Sequence, residues 1–212
     1  MRLGRRATAA TAILLAAALL SPATPAASRP AARARHAMVA GPEPIATAEA
    51  VKVLRQGGNA VDAAVTMALV LAVTMPQAGN IGGGGYMLIR GHDGDASVID
   101  YRETAPAAAT RDMFLDDKGD VIPNASLSSY RACGVPGTVA GLAMALQKHG
   151  TISWKRAVEP AIRVAREGFR VDRGLEENLE QHAGSLAAWP ATRSIFFREG
   201  APLREGDRLA QN

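Results

Sequence analysis

Apolar residues recur at helical spacing early in the chain. Ile45, Ala48, Val51 and Leu54 predict a helix over Pro44–Arg55, stopped by Gly57-Gly58. Asn59 is placed to cap a second helix, with Asp62 three residues on in a capping-box position. That helix, Ala60–Met75, is apolar nearly all round: Val61, Ala63, Ala64, Val65, Met67, Leu69, Val70, Leu71 and Val73. A helix apolar on every face is buried or spans a membrane. This one is short for a span, carries Asp62 near one end and stops at Pro76, so it reads as a central core helix.

The pattern then changes. After Ile81-Gly82-Gly83-Gly84-Gly85, the strand-like runs Tyr86–Ile89 and Ser97–Tyr101 flank Asp93-Gly94, which predicts a β-hairpin. Residues 104–132 carry loop and turn chemistry. Val135-Pro136-Gly137 opens a helix over Thr138–Lys148, closed by Gly150. An amphipathic helix follows over Trp154–Glu167, with Pro160 at an expected kink or helix junction, and Gly174–His182 reads as one more. Residues 183–212 show no periodicity, and Arg208–Asn212 reads without a closing strand or cap. Helices with a hairpin, rather than repeated βαβ units, point to an α+β fold or a layered αββα sandwich.

Charge changes the picture at the N-terminus. The net charge is +4, but residues 1–35 hold six arginines and no acid, so the remainder is near neutral. Nothing there calls for nucleic acid as a partner. Arg2, Arg5 and Arg6, then the apolar run Ala9–Leu20, then small residues through Ser28, read as a secretory signal over residues 1–28. A short flexible leader is expected over 29–37. The expected destination is the periplasm or the outside, with no stable membrane anchor once the signal is cut. Cys133 is the single cysteine, which excludes an internal disulfide, and it reads as a small packed thiol. His36, His92, His149 and His182 are widely spaced and form no metal-ligand motif.

Two features could carry chemistry. The glycine run lacks the Lys-Ser/Thr of a phosphate loop and leads into a strand, so its expected role is close backbone packing. Arg102 follows the second hairpin strand, where its guanidinium fork can hold a carboxylate in a bidentate pair. Spacing alone favours a structural salt bridge, with Glu103 or Asp100.

Five blocks occur together and in order. They are Met38-Val39-Ala40 with Pro44–Thr47; Gly57–Ala64; Pro76–Tyr86; Asp100-Tyr101-Arg102-Glu103-Thr104-Ala105-Pro106; and Gly134–Gly141. Together they resemble the large-subunit region of the gamma-glutamyltranspeptidases. The resemblance implies an N-terminal-nucleophile hydrolase αββα sandwich, of which 38–212 is the N-terminal part of the large-subunit domain. It implies a precursor that cuts itself into large and small subunits. The small subunit's N-terminal Thr would then attack the gamma-glutamyl amide of glutathione or a similar compound and pass the glutamyl group to water, an amino acid or a peptide. No cofactor or metal is implied. Arg102 matches the family arginine that grips the glutamyl alpha-carboxylate.

The family nucleophile opens a Thr-Thr-His motif, and no threonine of this chain does so. The expectation is therefore a segment with the substrate-binding Arg102 and no catalytic residue, its sandwich core face uncovered and its isolated fold unstable. The alternatives are a cephalosporin acylase-like relative and a non-catalytic exported amino-acid-binding remnant.

Overall fold

The computed structural model describes residues 31–211. The signal reading of residues 1–28 and the first two leader positions lie outside the described residues. Residues 31–37 are exposed and carry no helix or strand, and the fold belongs to the unit that begins at Ala37.

Helix α1 spans Pro44–Arg55. Its cap is Glu43, whose carboxylate accepts from the N–H groups of Ile45 and Ala46, both at 2.8 Å. A carboxylate there satisfies two orphan donors and suits the positive end of the helix dipole. Glu43 also accepts from the Thr74 hydroxyl at 2.7 Å, which ties the start of α1 to the end of α2, Ala60–Thr74. The capping box at Asn59 and Asp62 forms as the sequence predicts.

Asp62 does more than close that box. It is fully buried and accepts from the N–H of Asn59 at 2.8 Å, the N–H of Thr151 at 2.8 Å, the Thr151 hydroxyl at 2.6 Å and the N–H of Ile152 at 3.3 Å. Burial pushes its pKa up, but these donors outweigh that and hold it below the ordinary 3.8.

Strands β1, Tyr86–Arg90, and β2, Ala96–Asp100, pair antiparallel with Met87 opposite Ile99 and Leu88 opposite Val98. Gly94, at φ +95°, makes the turn. Met87, Ile89 and Ile99 face the core. Tyr86, Leu88 and Val98 face water, 62%, 74% and 61% exposed. Apolar residues on both faces are the mark of a strand that is covered on both sides.

The loop over 104–132 carries one short helix, α3 (Ala125–Ser128), and a 3₁₀ turn at Tyr130–Ala132. Cys133 follows that turn and is exposed, which corrects the packed-thiol reading. The turn sits on the surface, with Leu127 and Tyr130 also exposed, so the chain has no interior there in which to place a thiol.

Helices α4, Thr138–His149, and α5, Trp154–Glu167, pack on α2. Val65, Leu69 and Val70 of α2 share a core with Leu142 and Leu146 of α4 and with Ala157, Ala161 and Val164 of α5. Helix α5 is one element, not two. Pro160 removes the single bond to the Arg156 carbonyl, while the buried stripe Ala157, Ala161 and Val164 keeps the helix seated.

Strand β3, Phe169–Arg170, leads to α6, Arg173–Gln181, capped by the Asp172 carboxylate on the Leu175 N–H at 2.8 Å. The segment that shows no periodicity is structured. It holds α7 (Ala183–Ala187), α8 (Pro190–Phe196) and the pair β4 (Phe197–Arg198) and β5 (Ala201–Pro202). It ends in β6, Arg208–Leu209, which pairs antiparallel with β3, Phe169 opposite Leu209. The expectation of no closing strand is thus corrected. Two-residue strands are too short to display a period of two, and β6 takes its order from a partner far back in the chain. Leu203 and Leu209 are almost fully buried and complete the core.

Two stability predictions follow from buried polar groups. Asp62→Ala strands four donors and lowers the unfolding free energy by about 3 kcal/mol or more, read by urea denaturation. Because the folded state holds Asp62 below 3.8, its stabilisation is complete above that value and is lost as the pH falls through the lower folded-state value. Asp62→Asn flattens that acid limb. The Thr66 hydroxyl is buried without a partner among the described residues. Thr66→Val keeps the shape, removes the orphan and raises stability by about 1 kcal/mol in the same assay.

Candidate functional site

Arg102 lies just past β2, in a segment held from both sides. Tyr101 exchanges backbone bonds with Gly85: its N–H reaches the Gly85 carbonyl at 2.9 Å and its carbonyl accepts from the Gly85 N–H at 3.3 Å. Thr104 exchanges bonds with Val135 at 3.3 and 2.8 Å. Between them, the N–H of Arg102 donates to the Asp100 carboxylate at 3.0 Å. The backbone on either side of Arg102 is therefore pinned to two different loops.

Those loops approach closely because they present glycine. A β-carbon on Gly84 would lie 2.5 Å from the Tyr101 carbonyl oxygen and 2.8 Å from Arg102 Cα. One on Gly137 would lie 2.8 Å from the Tyr101 carbonyl carbon. One on Gly141, a turn into α4, would run into the Tyr101 ring. The packing role expected of the glycine run holds at Gly84. At Gly82 there is open space, so that position does no such work.

The two loops are also tied to each other. The Gly83 carbonyl accepts from the N–H groups of Gly137 at 2.9 Å and Thr138 at 3.0 Å, which occupies two free donors at the start of α4. The Asn80 side-chain oxygen accepts from the Gly83 N–H at 2.8 Å and the Thr138 hydroxyl at 2.9 Å. Both residues lie in the family-like blocks, but their partnership has no mark in the sequence beyond an Asn ahead of a glycine run and a Thr opening a helix.

The Arg102 side chain projects from this clamp and is 62% exposed. Its one ion pair among the described residues is with Glu103, Nε to Oε2 at 3.3 Å. So the structural salt bridge allowed by spacing does form, with Glu103, while Asp100 binds the backbone instead. An exposed pair of adjacent residues is worth under about 1 kcal/mol, so it does not commit the guanidinium. Tyr101 beside it has its phenol pKa raised by burial.

An open groove of about 740 Å³ lies elsewhere, between α1 and α5. Glu49 sits in its wall, bridged by Lys52 at 2.6 Å and Arg163 at 2.8 Å. Burial raises the Glu49 pKa, but the two cations more than offset it and hold the carboxyl below its usual value. Its carboxylates and cations lie on α1 and α5, remote in sequence from the glycine clamp, and Arg102 does not line it. Among the described residues no three His, Cys, Asp or Glu side chains gather as metal ligands, and no helix is long and apolar enough to cross a membrane.

The fold defines the class. The solved gamma-glutamyltranspeptidase of Helicobacter pylori superposes with a TM-score of 0.83 at 38% identity, covering 86% of this chain and 52% of that one. The Bacillus anthracis transpeptidase CapD superposes at 0.68 with 34% identity, over 82% of this chain and 54% of its own. The architecture is α+β, the N-terminal part of an N-terminal-nucleophile hydrolase sandwich. Residues 46–212 match the profile of the Gamma-glutamyltranspeptidase family. The glutathione hydrolase proenzyme of Escherichia coli (strain K12) is 50% identical over 180 residues, 84% of this chain and 31% of that protein. This chain belongs to the gamma-glutamyltranspeptidase family. It spans about a third of the E. coli relative's length.

The glycine contacts predict an asymmetry. Gly137→Ala forces the Tyr101 backbone away and costs about 1–3 kcal/mol. Gly82→Ala meets nothing and leaves the melting midpoint where it is. Thermal unfolding of the two variants side by side checks this.

Proposed function

We propose that this chain is the N-terminal, large-subunit portion of an exported gamma-glutamyltransferase and glutathione hydrolase. In this reading the precursor cleaves gamma-glutamyl amides and transfers the glutamyl group to water, amino acids or peptides. Arg102 binds the alpha-carboxylate of the glutamyl group. The observation that carries the reading is the clamp on Arg102: three of the five sequence blocks converge on its backbone and leave its guanidinium exposed. A restrained backbone beneath an exposed fork of donors, engaged only by the weak Glu103 pair, is suited to a carboxylate ligand, because part of the ordering cost is met before the ligand arrives. A free alpha-carboxylate is what distinguishes a gamma-linked from an alpha-linked glutamyl group, so this contact would set specificity as well as affinity.

The nucleophile of this reading comes from the small subunit, since no threonine here opens a Thr-Thr-His sequence. In the same reading the rest of the precursor covers the apolar outer face of Tyr86, Leu88 and Val98. The reading needs no metal or organic cofactor. The N-terminal 28 residues act as a cleaved export signal, and N-terminal sequencing of the mature protein from the periplasm or medium tests that directly.

Two outcomes are expected in an assay with a chromogenic gamma-glutamyl anilide. Arg102→Ala in the full-length precursor lowers kcat/KM by about 100-fold or more, and Arg102→Lys does not restore it, because a lysine lacks the bidentate fork. Unchanged kinetics in Arg102→Ala would remove the assignment. The 212-residue chain alone shows no turnover, and any turnover by it would refute the placement of the nucleophile in the small subunit.

A further inference from the structure

We infer that Asn80 and Thr138 are positioning residues for Arg102, acting through the backbone clamp. This rests on the reading of Arg102 as the carboxylate-binding residue and adds to it the pair of side chains that aims it.

The inference starts from a closed ring of contacts. The glycine run touches the Tyr101–Arg102 backbone at Gly84 and bonds to it at Gly85. The loop ahead of α4 bonds to Thr104 through Val135 and abuts Tyr101 through Gly137. The third side of the ring, between the glycine run and α4, has no side-chain packing of its own at Gly83, Gly84 or Gly137. It is held by the Gly83 carbonyl and by the Asn80 side-chain oxygen, which receives the Gly83 N–H at 2.8 Å and the Thr138 hydroxyl at 2.9 Å. Glycines give the close approach but no lateral restraint, since their backbones have the widest conformational freedom. The two polar side chains add a lateral restraint to the two backbone bonds at the Gly83 carbonyl.

The environments of the two residues agree with this role. Thr138 is buried, so its hydroxyl needs an acceptor, and Asn80 provides it. Asn80 itself is exposed, and its oxygen makes no bond to the Arg102 segment. It therefore acts on Arg102 only by fixing where the glycine run lies against α4. Losing the latch lets Gly84 and Gly137 shift apart and moves the backbone from which the guanidinium projects. Small misplacements of a binding group cost disproportionately in ligand use.

The test is a double-mutant cycle in the full-length precursor, assayed with a gamma-glutamyl anilide and with the matching 4-aminobutyryl anilide, which keeps the amino group and lacks the alpha-carboxylate. Asn80→Ala and Thr138→Val are each expected to raise KM for the gamma-glutamyl donor about fivefold, the worth of one hydrogen bond, with kcat nearly unchanged. On an Arg102→Ala background neither is expected to change KM further, because residues that act through one another are not additive. Turnover of the 4-aminobutyryl donor is expected to be insensitive to both. Thr138→Ser, which keeps the hydroxyl, is expected to restore the wild-type KM.

Equal losses on both donors, or full additivity with Arg102→Ala, would show a general structural role and overturn the inference. So would wild-type KM in both single variants when Arg102→Ala is strongly impaired. If Arg102→Ala itself is unimpaired, it is the reading of Arg102 that fails. Should Asn80→Ala not mature, Thr138→Val alone completes the cycle, since it keeps side-chain volume at a buried position.

Discussion

The Tyr101 carbonyl lies where no side chain can follow it. Gly84 approaches from the hairpin side and Gly137 from the start of α4, each closer than a β-carbon allows. Everything proposed for Arg102 depends on that approach. The residue sits past the end of β2, where an ordinary loop would leave an arginine loosely tethered. Here its neighbours exchange backbone bonds with Gly85 on one side and Val135 on the other, and its own N–H is taken by Asp100. Backbone hydrogen bonds and steric exclusion restrict the main chain, while the guanidinium keeps only a weak, exposed pairing with Glu103.

A second junction sets the helices beneath the clamp. Asp62 closes the capping box of α2 and also receives the turn at Thr151 and Ile152 that joins α4 to α5. One buried carboxylate with four donors thus fixes where α4 ends and α5 begins against α2. Its charge survives burial because every approach to it is a donor. Since Gly137 stands just ahead of α4 and Gly141 lies in its first turn, the same helix is held at its far end by Asp62 and at its near end by the glycine run. The clamp and the core share one helix, so Arg102, although on a loop, is held against a packed element.

Much of this was legible along the chain. The helices over Pro44–Arg55 and Trp154–Glu167, the capping box at Asn59 and the hairpin around Gly94 all rest on local patterns, and local patterns are what propensity and period record. Arg102 was legible as a candidate because the blocks around it resemble a family. Its relation to Asn80 and Thr138 was not, because hydrogen bonds across 58 residues leave no local trace. The exposure of Cys133 and the strand at Arg208–Leu209 escaped for a related reason. A lone cysteine has no pattern to read, and a two-residue strand is ordered only by its distant partner Phe169–Arg170.

By itself the sequence determined the longer helices and the hairpin, the apolar character of α2, and the family through the order of its five blocks. These follow from spacing and residue type, which act over a few positions at a time. Only the tertiary structure decided which glycines matter. Gly82 and Gly84 look alike in the sequence, yet one faces open space and the other abuts Arg102. It also decided that Glu103, not Asp100, pairs with the Arg102 side chain, and that Asp62 serves three segments at once. The physical reason is common to all of these. Steric exclusion and hydrogen bonding act through space over a few ångströms, and which groups come within that reach is set by how the helices and the hairpin pack.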